Sequence, residues 1–153
     1  MTNKTIDVSD LNRLESKLDT LDRDVKDKIL YSSLVKGGKI LVDATKQSLV
    51  AKMGVSATRP VRKKNGIGFY KPLVEGVMMS GEKPYCEVKV HILGQGYLRW
   101  FETGTQIRQT SKGYNRGSIT ALNFFLNAKQ SSFSQMQKTI NENVDKQINK
   151  IMR

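Results

Sequence analysis

Residues 94–128 read GQGYLRWFETGTQIRQTSKGYNRGSITALNFFLNA, and this stretch decides the fold prediction. It contains two apolar clusters, a glycine-marked turn and a basic loop that has no acidic side chain. Trp100 and Phe101 belong to the first cluster, and Phe124 and Phe125 belong to the second. This order predicts a short helix, a turn, an exposed arm over residues 106–120, and the start of a long helix.

The arm is expected to begin just after a helix that ends at Gly104. Glycine suits the left-handed conformation that commonly ends a helix, because it has no Cβ atom. Ser118 or Thr120 is the expected cap of the following helix, since a hydroxyl oxygen can accept a hydrogen bond from a free backbone N–H. An arm that is held at both ends and adds little to a core is expected to contact another molecule.

On both sides of this stretch, apolar spacing of three and four residues predicts helices. Residues 1–53 are predicted to form a helical region, with one helix over residues 10–25 and a second over residues 25–53. Residues 120–153 are predicted to form the C-terminal helix. Gly37 and Gly38 interrupt the second helix, and close packing of another element is the expected reason because a glycine inside a helix costs about 1 kcal/mol.

Residues 73–93 are predicted to form a β-hairpin with strands over 73–79 and 85–93. Cys86 starts a row of alternate apolar residues that face inward, whereas His91 is assigned to the outward row. Together these elements predict one α+β domain over residues 1–153, in which a small antiparallel sheet packs against the N-terminal helical region and the long C-terminal helix.

A second basic segment, residues 54–72, precedes the hairpin and contains prolines and glycines but no acidic residue. It is predicted to be a long loop. Its candidate contact residues for a partner or DNA are Arg59, Arg62, Lys63 and Lys64, and those of the arm are Arg108, Lys112 and Arg116.

The formal net charge of +12 is unevenly distributed, because residues 1–27 hold seven acidic and five basic side chains while the rest of the chain is strongly basic. Such a surface favours phosphate backbones, anionic membranes or acidic proteins; solubility is the alternative reason for it. The N-terminal residues lack the apolar run of a signal peptide, and no stretch approaches the roughly 20 apolar residues of a membrane span. A cytoplasmic protein without a membrane partner is expected.

The residues that catalysis needs are missing from the pattern. One histidine and one cysteine without partners give no nucleophile–base pair, no metal site and no internal disulfide, and no phosphate-binding loop is present. The chain is therefore predicted not to be an enzyme and to have no cofactor, metal or small-molecule substrate. Glu102 is interpreted structurally, as an acceptor for backbone N–H groups of the 103–105 turn or as the partner of an arm arginine. Trp100 and Phe101 are interpreted as core anchors.

The motif residues of this span are Tyr97, Trp100, Phe101, Glu102, Gly104, Thr105 and Phe125. Their order resembles the Tyr-x-x-aromatic-x-Glu-x-Gly-Thr block of the tail-completion or head–tail joining family of long-tailed bacteriophages, the "gene-product-ten-like" minor tail components. The resemblance continues to residue 128, although the prolines that the family shows are replaced here by Thr120, Phe124 and Asn127 or neighbouring residues.

The resemblance implies a structural protein of the phage or prophage neck and tail, without enzymatic activity, that is made in the host cytoplasm and resides in the virion. It implies contacts with other neck or tail proteins and a homo-oligomeric ring, through which packaged DNA passes. Non-specific contact of the basic loops with that DNA is expected if they face the lumen. The alternative is a non-sequence-specific nucleic-acid-binding protein outside any particle.

Overall fold

The computed structural model describes residues 23–62, 69–92 and 96–151, together with residue 12. The expected first helix, over residues 10–25, therefore lies almost entirely outside the described residues. The described elements are, in order, α1 (Arg23–Met53), a 3₁₀ helix (Gly54–Ala57), β1 (Val61–Arg62), β2 (Phe69–Tyr70), a 3₁₀ helix (Leu73–Gly76), β3 (Met78–Glu82), a 3₁₀ helix (Lys83–Tyr85), β4 (Glu87–His91), α2 (Leu98–Thr103) and α3 (Phe124–Ile151).

The two long helices, α1 and α3, pack along each other in antiparallel directions. Gly37 marks their close approach, because a Cβ atom at this position would lie 2.7 Å from the Cδ1 and Cγ1 atoms of Ile140. A side chain at Gly37 would thus hold the helices apart. The interpretation of the glycine pair as a packing site is confirmed.

The β3–β4 hairpin packs on another side of α1. A Cβ atom at Gly38 would lie 2.7 Å from the Sδ atom of Met79 and 3.0 Å from a methyl carbon of Val88. The two strands are antiparallel, with Met78 opposite His91 and Glu82 opposite Glu87. Helix α1 thus lies between α3 and the hairpin, and the predicted α+β class is confirmed.

Two apolar clusters form the core at opposite ends of the helix pair. The first, here called the arm-end cluster, consists of five buried residues, Leu49, Ala57, Val77, Leu98 and Phe124. The second, here called the far-end cluster, consists of Ile29, Val144 and Ile148. Because Leu49 lies near the end of α1 and Phe124 begins α3, the first cluster unites the end of one helix with the start of the other.

Beside the far-end cluster the helix interface contains buried and partly buried polar side chains. The Asn143 amide nitrogen donates to the Ser33 hydroxyl at 2.7 Å, and the Asn143 side-chain oxygen accepts from Lys36. One turn further along α3, Gln147 donates to the Ser32 hydroxyl at 2.6 Å. Paired polar groups at these positions favour one axial alignment of the helices, because a shift would leave buried polar atoms without partners.

The structure corrects the predicted limits of the hairpin. Residues 73–76 form a 3₁₀ helix instead of a strand, and β3 runs from Met78 to Glu82, through residues predicted to be the turn. The tight turn after Pro72 brings both Leu73 and Val74 against the arm-end cluster, which an alternating strand would not do.

The outward assignment of His91 is also wrong. The side chain is half-buried, and its Nδ1 atom is buried without a hydrogen-bond partner. His91 ends β4, directly before Ile92, which packs against the arm-end cluster, so both faces of the strand are partly covered there.

The described parts of the basic segment, residues 54–62 and 69–72, are more ordered than predicted, because they contain a 3₁₀ helix and the short β1–β2 pair, in which Arg62 lies opposite Phe69. Lys63 and Lys64 lie outside the described residues. Within the described part of the chain, no helix is both long and apolar enough to cross a membrane.

Candidate functional site

The base of the arm is formed by the Glu102 carboxylate, which caps α3. Its two oxygens accept hydrogen bonds from the backbone N–H groups of Phe125 at 2.9 Å and Leu126 at 3.0 Å. The first N–H groups of a helix have no partner within the helix, and its positive end favours a negative charge. Glu102 therefore satisfies two otherwise unpaired donors.

This arrangement overturns two predictions. Ser118 and Thr120 do not cap the helix, because α3 begins only at Phe124. Glu102 neither accepts from the 103–105 turn nor pairs with an arm arginine, because α2 ends beside the start of α3 and directs the carboxylate there.

Gly104 and Thr105 close the base. The Thr105 N–H donates to the Ile119 carbonyl oxygen at 2.9 Å, and the Ile119 N–H donates to the Thr105 hydroxyl at 2.9 Å. Gly104 ends α2 with φ 74° and an extended ψ of 178°, and a Cβ atom there would lie 2.9 Å from the Ile119 carbonyl oxygen. Glycine is required both for this positive φ, as predicted, and for the close approach.

Beyond this base the arm is a hairpin. The Thr110 N–H donates to Tyr114 O at 2.9 Å, and the Gly113 N–H donates to Thr110 O at 2.9 Å, which closes a three-residue turn with Gly113 at φ 77°. Residues 106–118 are exposed except for Thr110, which is half-buried. The prediction that the arm adds little to the core is confirmed.

Arg108 lies opposite Arg116 across this hairpin. The Arg116 N–H donates to Arg108 O at 2.7 Å, whereas the Arg108 N–H donates to Gly117 O at 3.1 Å. Arg116 and Gly117 on one strand thus both oppose Arg108 on the other, which is the pattern of a β-bulge. Alternation along the strands places Tyr114 on the same face as the two arginines, and Lys112 lies in the turn at the tip.

No acidic side chain pairs with the basic residues of the arm within residues 23–62, 69–92 and 96–151. No Asp or Glu occurs in the sequence between Glu102 and Glu142. Like charges that face each other across a hairpin destabilise it. The Arg108–Arg116 pair is therefore not explained by the stability of the arm.

The two basic segments emerge from the same end of the molecule. Ala57 and Leu73, near the two ends of the 54–72 segment, pack in or against the arm-end cluster. Leu98 and Phe124, before and after the arm, belong to the same cluster. Arg59 is exposed there, so sequence positions about 50 residues apart contribute positive charge to one region.

Of the aromatic motif residues, Phe101 and Phe125 are partly buried against the arm-end cluster and Tyr97 is half-buried. Trp100, in contrast, is 50% exposed, so its assignment as a core anchor is wrong. Helix α2 has six residues and one inward face, which Leu98 and Phe101 occupy. Trp100 follows Leu98 by two residues, or about 200° around a helix, and so points away from the core.

Cys86 has the surroundings of a structural thiol. Partial burial raises its pKa, and the nearby Asp27 charge raises it further. The thiol lies 3.4 Å from the Asp27 carbonyl oxygen. Because the thiolate is the reactive form, a raised pKa makes Cys86 a weak nucleophile at neutral pH. The described residues contain no group of three potential metal ligands.

The sequence reasoning missed the hairpin character of the arm and the contributions of Tyr114 and Ile119. Gly113, two residues after Ser111, was the available signal, because a glycine at the end of a short loop between strands is typical of hairpins. The cap formed by Glu102 had no local signal, since it joins residues that are 23 and 24 positions apart.

Comparison of the chain with protein-family models, curated proteins and solved structures found no match.

Proposed function

We propose that this chain is a structural bacteriophage protein of the tail-completion or head–tail joining class, which assembles at the neck and uses the arm to contact a neighbour. In this role copies of the chain form a homo-oligomeric ring. The ring contacts other neck and tail proteins and performs no catalysis. The virion is its site of action, after synthesis in the host cytoplasm.

One observation carries the proposal: the residues of the Glu-x-Gly-Thr block jointly build the base of an exposed arm. Glu102 caps α3, Gly104 permits the close approach of Ile119, and Thr105 forms two hydrogen bonds with Ile119. Each residue type in the block thus has a physical role in holding the arm. The resemblance and the geometry support the same use of this segment.

The composition of the arm also supports an assembly role. Ile107 is 63% exposed and Tyr114 is 70% exposed, on a hairpin that packs against none of the described residues beyond its base. The centre of a protein interface is depleted of charge and buries apolar side chains, and Ile107 offers such a side chain. The backbone hydrogen bonds of the hairpin order the arm before binding, which lowers the conformational entropy lost on binding.

The test uses a host that carries the gene in an inducible prophage. Mass spectrometry of purified virions is expected to detect the chain, and deletion of the gene is expected to abolish infectious particles. Normal, infectious tailed particles without the chain would overturn the proposal.

A matched pair of triple variants tests the arm in the same host. Changing Arg108, Lys112 and Arg116 to Ala is expected to leave folding nearly intact, because exposed substitutions usually change stability by less than about 0.5 kcal/mol. The titre is expected to fall to that of the deletion strain. The control changes Lys28, Lys138 and Lys150, which are exposed on the long helices, to Ala and should retain a normal titre. Equal titres would show that the arm is not the contact.

A second candidate function is a non-sequence-specific DNA-binding protein that acts outside any particle. The convergence of two basic segments at one end of the molecule favours it, since such a surface neutralises phosphates without reading bases. DNA binding by a protein that never co-purifies with head or tail components would select this alternative.

A further inference from the structure

We infer that the face of the arm formed by Arg108, Arg116 and Tyr114 is a binding site for the phosphate backbone of duplex DNA. This inference rests on the proposed function, in which the arm extends from a neck protein, and it names the ligand of one arm face.

The first support is the geometry of the arginine pair. Arg108 and Arg116 are cross-strand neighbours at the bulge, joined by the 2.7 Å hydrogen bond from the Arg116 N–H to the Arg108 carbonyl oxygen, so both guanidinium groups can reach one phosphate or two neighbouring phosphates. Arginine presents a planar fork of N–H donors that matches phosphate oxygens. An anion between the two groups would also remove their mutual repulsion.

The second support is the absence of competing charge. Within the described residues neither arginine pairs with a carboxylate, and the arm contains no acidic residue. Arg59, at the same end of the molecule, extends the positive region. A positive electrostatic field that is spread over two segments attracts a polyanion more strongly than it attracts a single carboxylate.

The third support separates DNA from an acidic protein as the ligand of this face. Tyr114 is its one large apolar side chain, and its hydroxyl can donate to a phosphate oxygen. The exposed Ile107 lies on the opposite face of the hairpin, because it is adjacent to Arg108 in the strand. The arginine face therefore lacks the apolar centre that is typical of a stable protein interface.

Fluorescence anisotropy with the full chain and a labelled 30-base-pair duplex of arbitrary sequence tests the inference, with salt varied from 50 to 200 mM. Each phosphate contact contributes about 0.9 to the slope of log K against log salt. The double variant R108A/R116A is expected to lower the magnitude of that slope by about 1.8 and to weaken binding at 50 mM salt by at least about ten-fold. A slope equal to that of the control would overturn the inference.

The control K28A/K150A removes the same charge at the far end of the helix pair, where both lysines are exposed. The slope of log K against log salt for this control is expected to differ from the wild-type slope by less than about 0.5. The two removed charges are distant from the arm and are largely screened from DNA bound there. The variant R108K/R116K keeps the charge but loses the fork, so it should retain the slope and bind DNA more weakly. Far-UV circular dichroism confirms that each variant retains its helices.

Poly-glutamate tests the other class of partner. If poly-glutamate, at equal concentration of negative charge, binds more tightly than DNA and R108A/R116A weakens only that binding, the face recognises acidic protein and the DNA inference is wrong. Displacement of poly-glutamate by duplex DNA at equal charge supports the inference.

Failure of this inference and failure of the proposed function give different results. If R108A/R116A leaves DNA binding unchanged while the triple arm variant still abolishes infectious particles, the phosphate site is wrong and the assembly role stands. If DNA binding responds as expected while virions lack the chain, the assembly role is wrong and the phosphate site stands.

Discussion

Two hairpins of the protein, β3–β4 and the arm, differ in what they contact. The β3–β4 hairpin lies against α1, where Met79 and Val88 approach Gly38 and where the Tyr31 hydroxyl would meet a Cβ atom at Gly81. The arm hairpin is held by its base and its turn, and its remaining side chains face solvent. The β3–β4 hairpin belongs to the scaffold because α1 covers one row of its side chains. No element among residues 23–62, 69–92 and 96–151 covers the arm hairpin in this way, so both of its faces are available to a partner.

The largest expected effect comes from removing the core beneath the arm. Phe124 is fully buried, and Phe124→Ala should lower the free energy of unfolding by about 3 to 5 kcal/mol, through lost burial and a cavity. Trp100→Ala, at a half-exposed position next to the same base, should cost less than about 1.5 kcal/mol, the lost burial of half a side chain. Urea unfolding followed by circular dichroism measures both. Equal losses would contradict the division between core and surface.

A smaller effect is expected where the two long helices touch. Gly37→Val would place a Cβ atom 2.7 Å from Ile140, and such overpacking costs about 1 to 3 kcal/mol. Removing a glycine from a helix interior returns about 1 kcal/mol. We therefore expect a net loss of up to about 2 kcal/mol, measured by urea unfolding.

Gly113→Ala is the matched change in the arm. Gly113 has φ 77° and open space around it, so the strain of about 1 kcal/mol is conformational and not steric. Because the described part of the chain does not pack on the arm beyond its base, this strain should loosen the arm and leave the global unfolding free energy unchanged. Hydrogen exchange is expected to speed up at the Tyr114 and Arg116 amides but not in α1. A global loss similar to that of Gly37→Val would mean that the arm unfolds together with the body.

Local periodicity was sufficient to predict most of the scaffold. Spacing of three and four residues predicted α1 and α3, strict alternation predicted β4, and the glycine pair at 37 and 38 predicted close packing. These patterns arise because one face of each element is buried, and a buried face repeats with the period of its element.

Contacts between distant residues were not predictable in this way. The start of β3 was misplaced because Leu73 and Val74 enter the core through a tight turn, which leaves no alternation. Trp100 was misassigned because a short helix buries only one of its faces, and residue type alone does not say which. The same holds for the pairing of Arg108 with Arg116, which follows from the bulge and not from their spacing.

An effect of about the same size is expected from the cap that joins the arm to the scaffold. Glu102→Ala leaves the Phe125 and Leu126 N–H groups without their carboxylate acceptor, and loss of a helix cap costs about 1 kcal/mol. Glu142→Ala is the control, because Glu142 pairs with Lys138 at 3.8 Å on the exposed side of α3, and such a pair contributes less than about 0.5 kcal/mol.

Because the carboxylate joins α2 to α3, the Glu102 variant should also speed hydrogen exchange at Ile119, where the arm ends, whereas the control should not. If Ile119 exchanges at the same rate in both variants, the arm is held by Gly104 and Thr105 alone. In that case the cap does not couple the arm to the scaffold. The two hairpins would then differ in how they are attached to the scaffold as well as in what they contact.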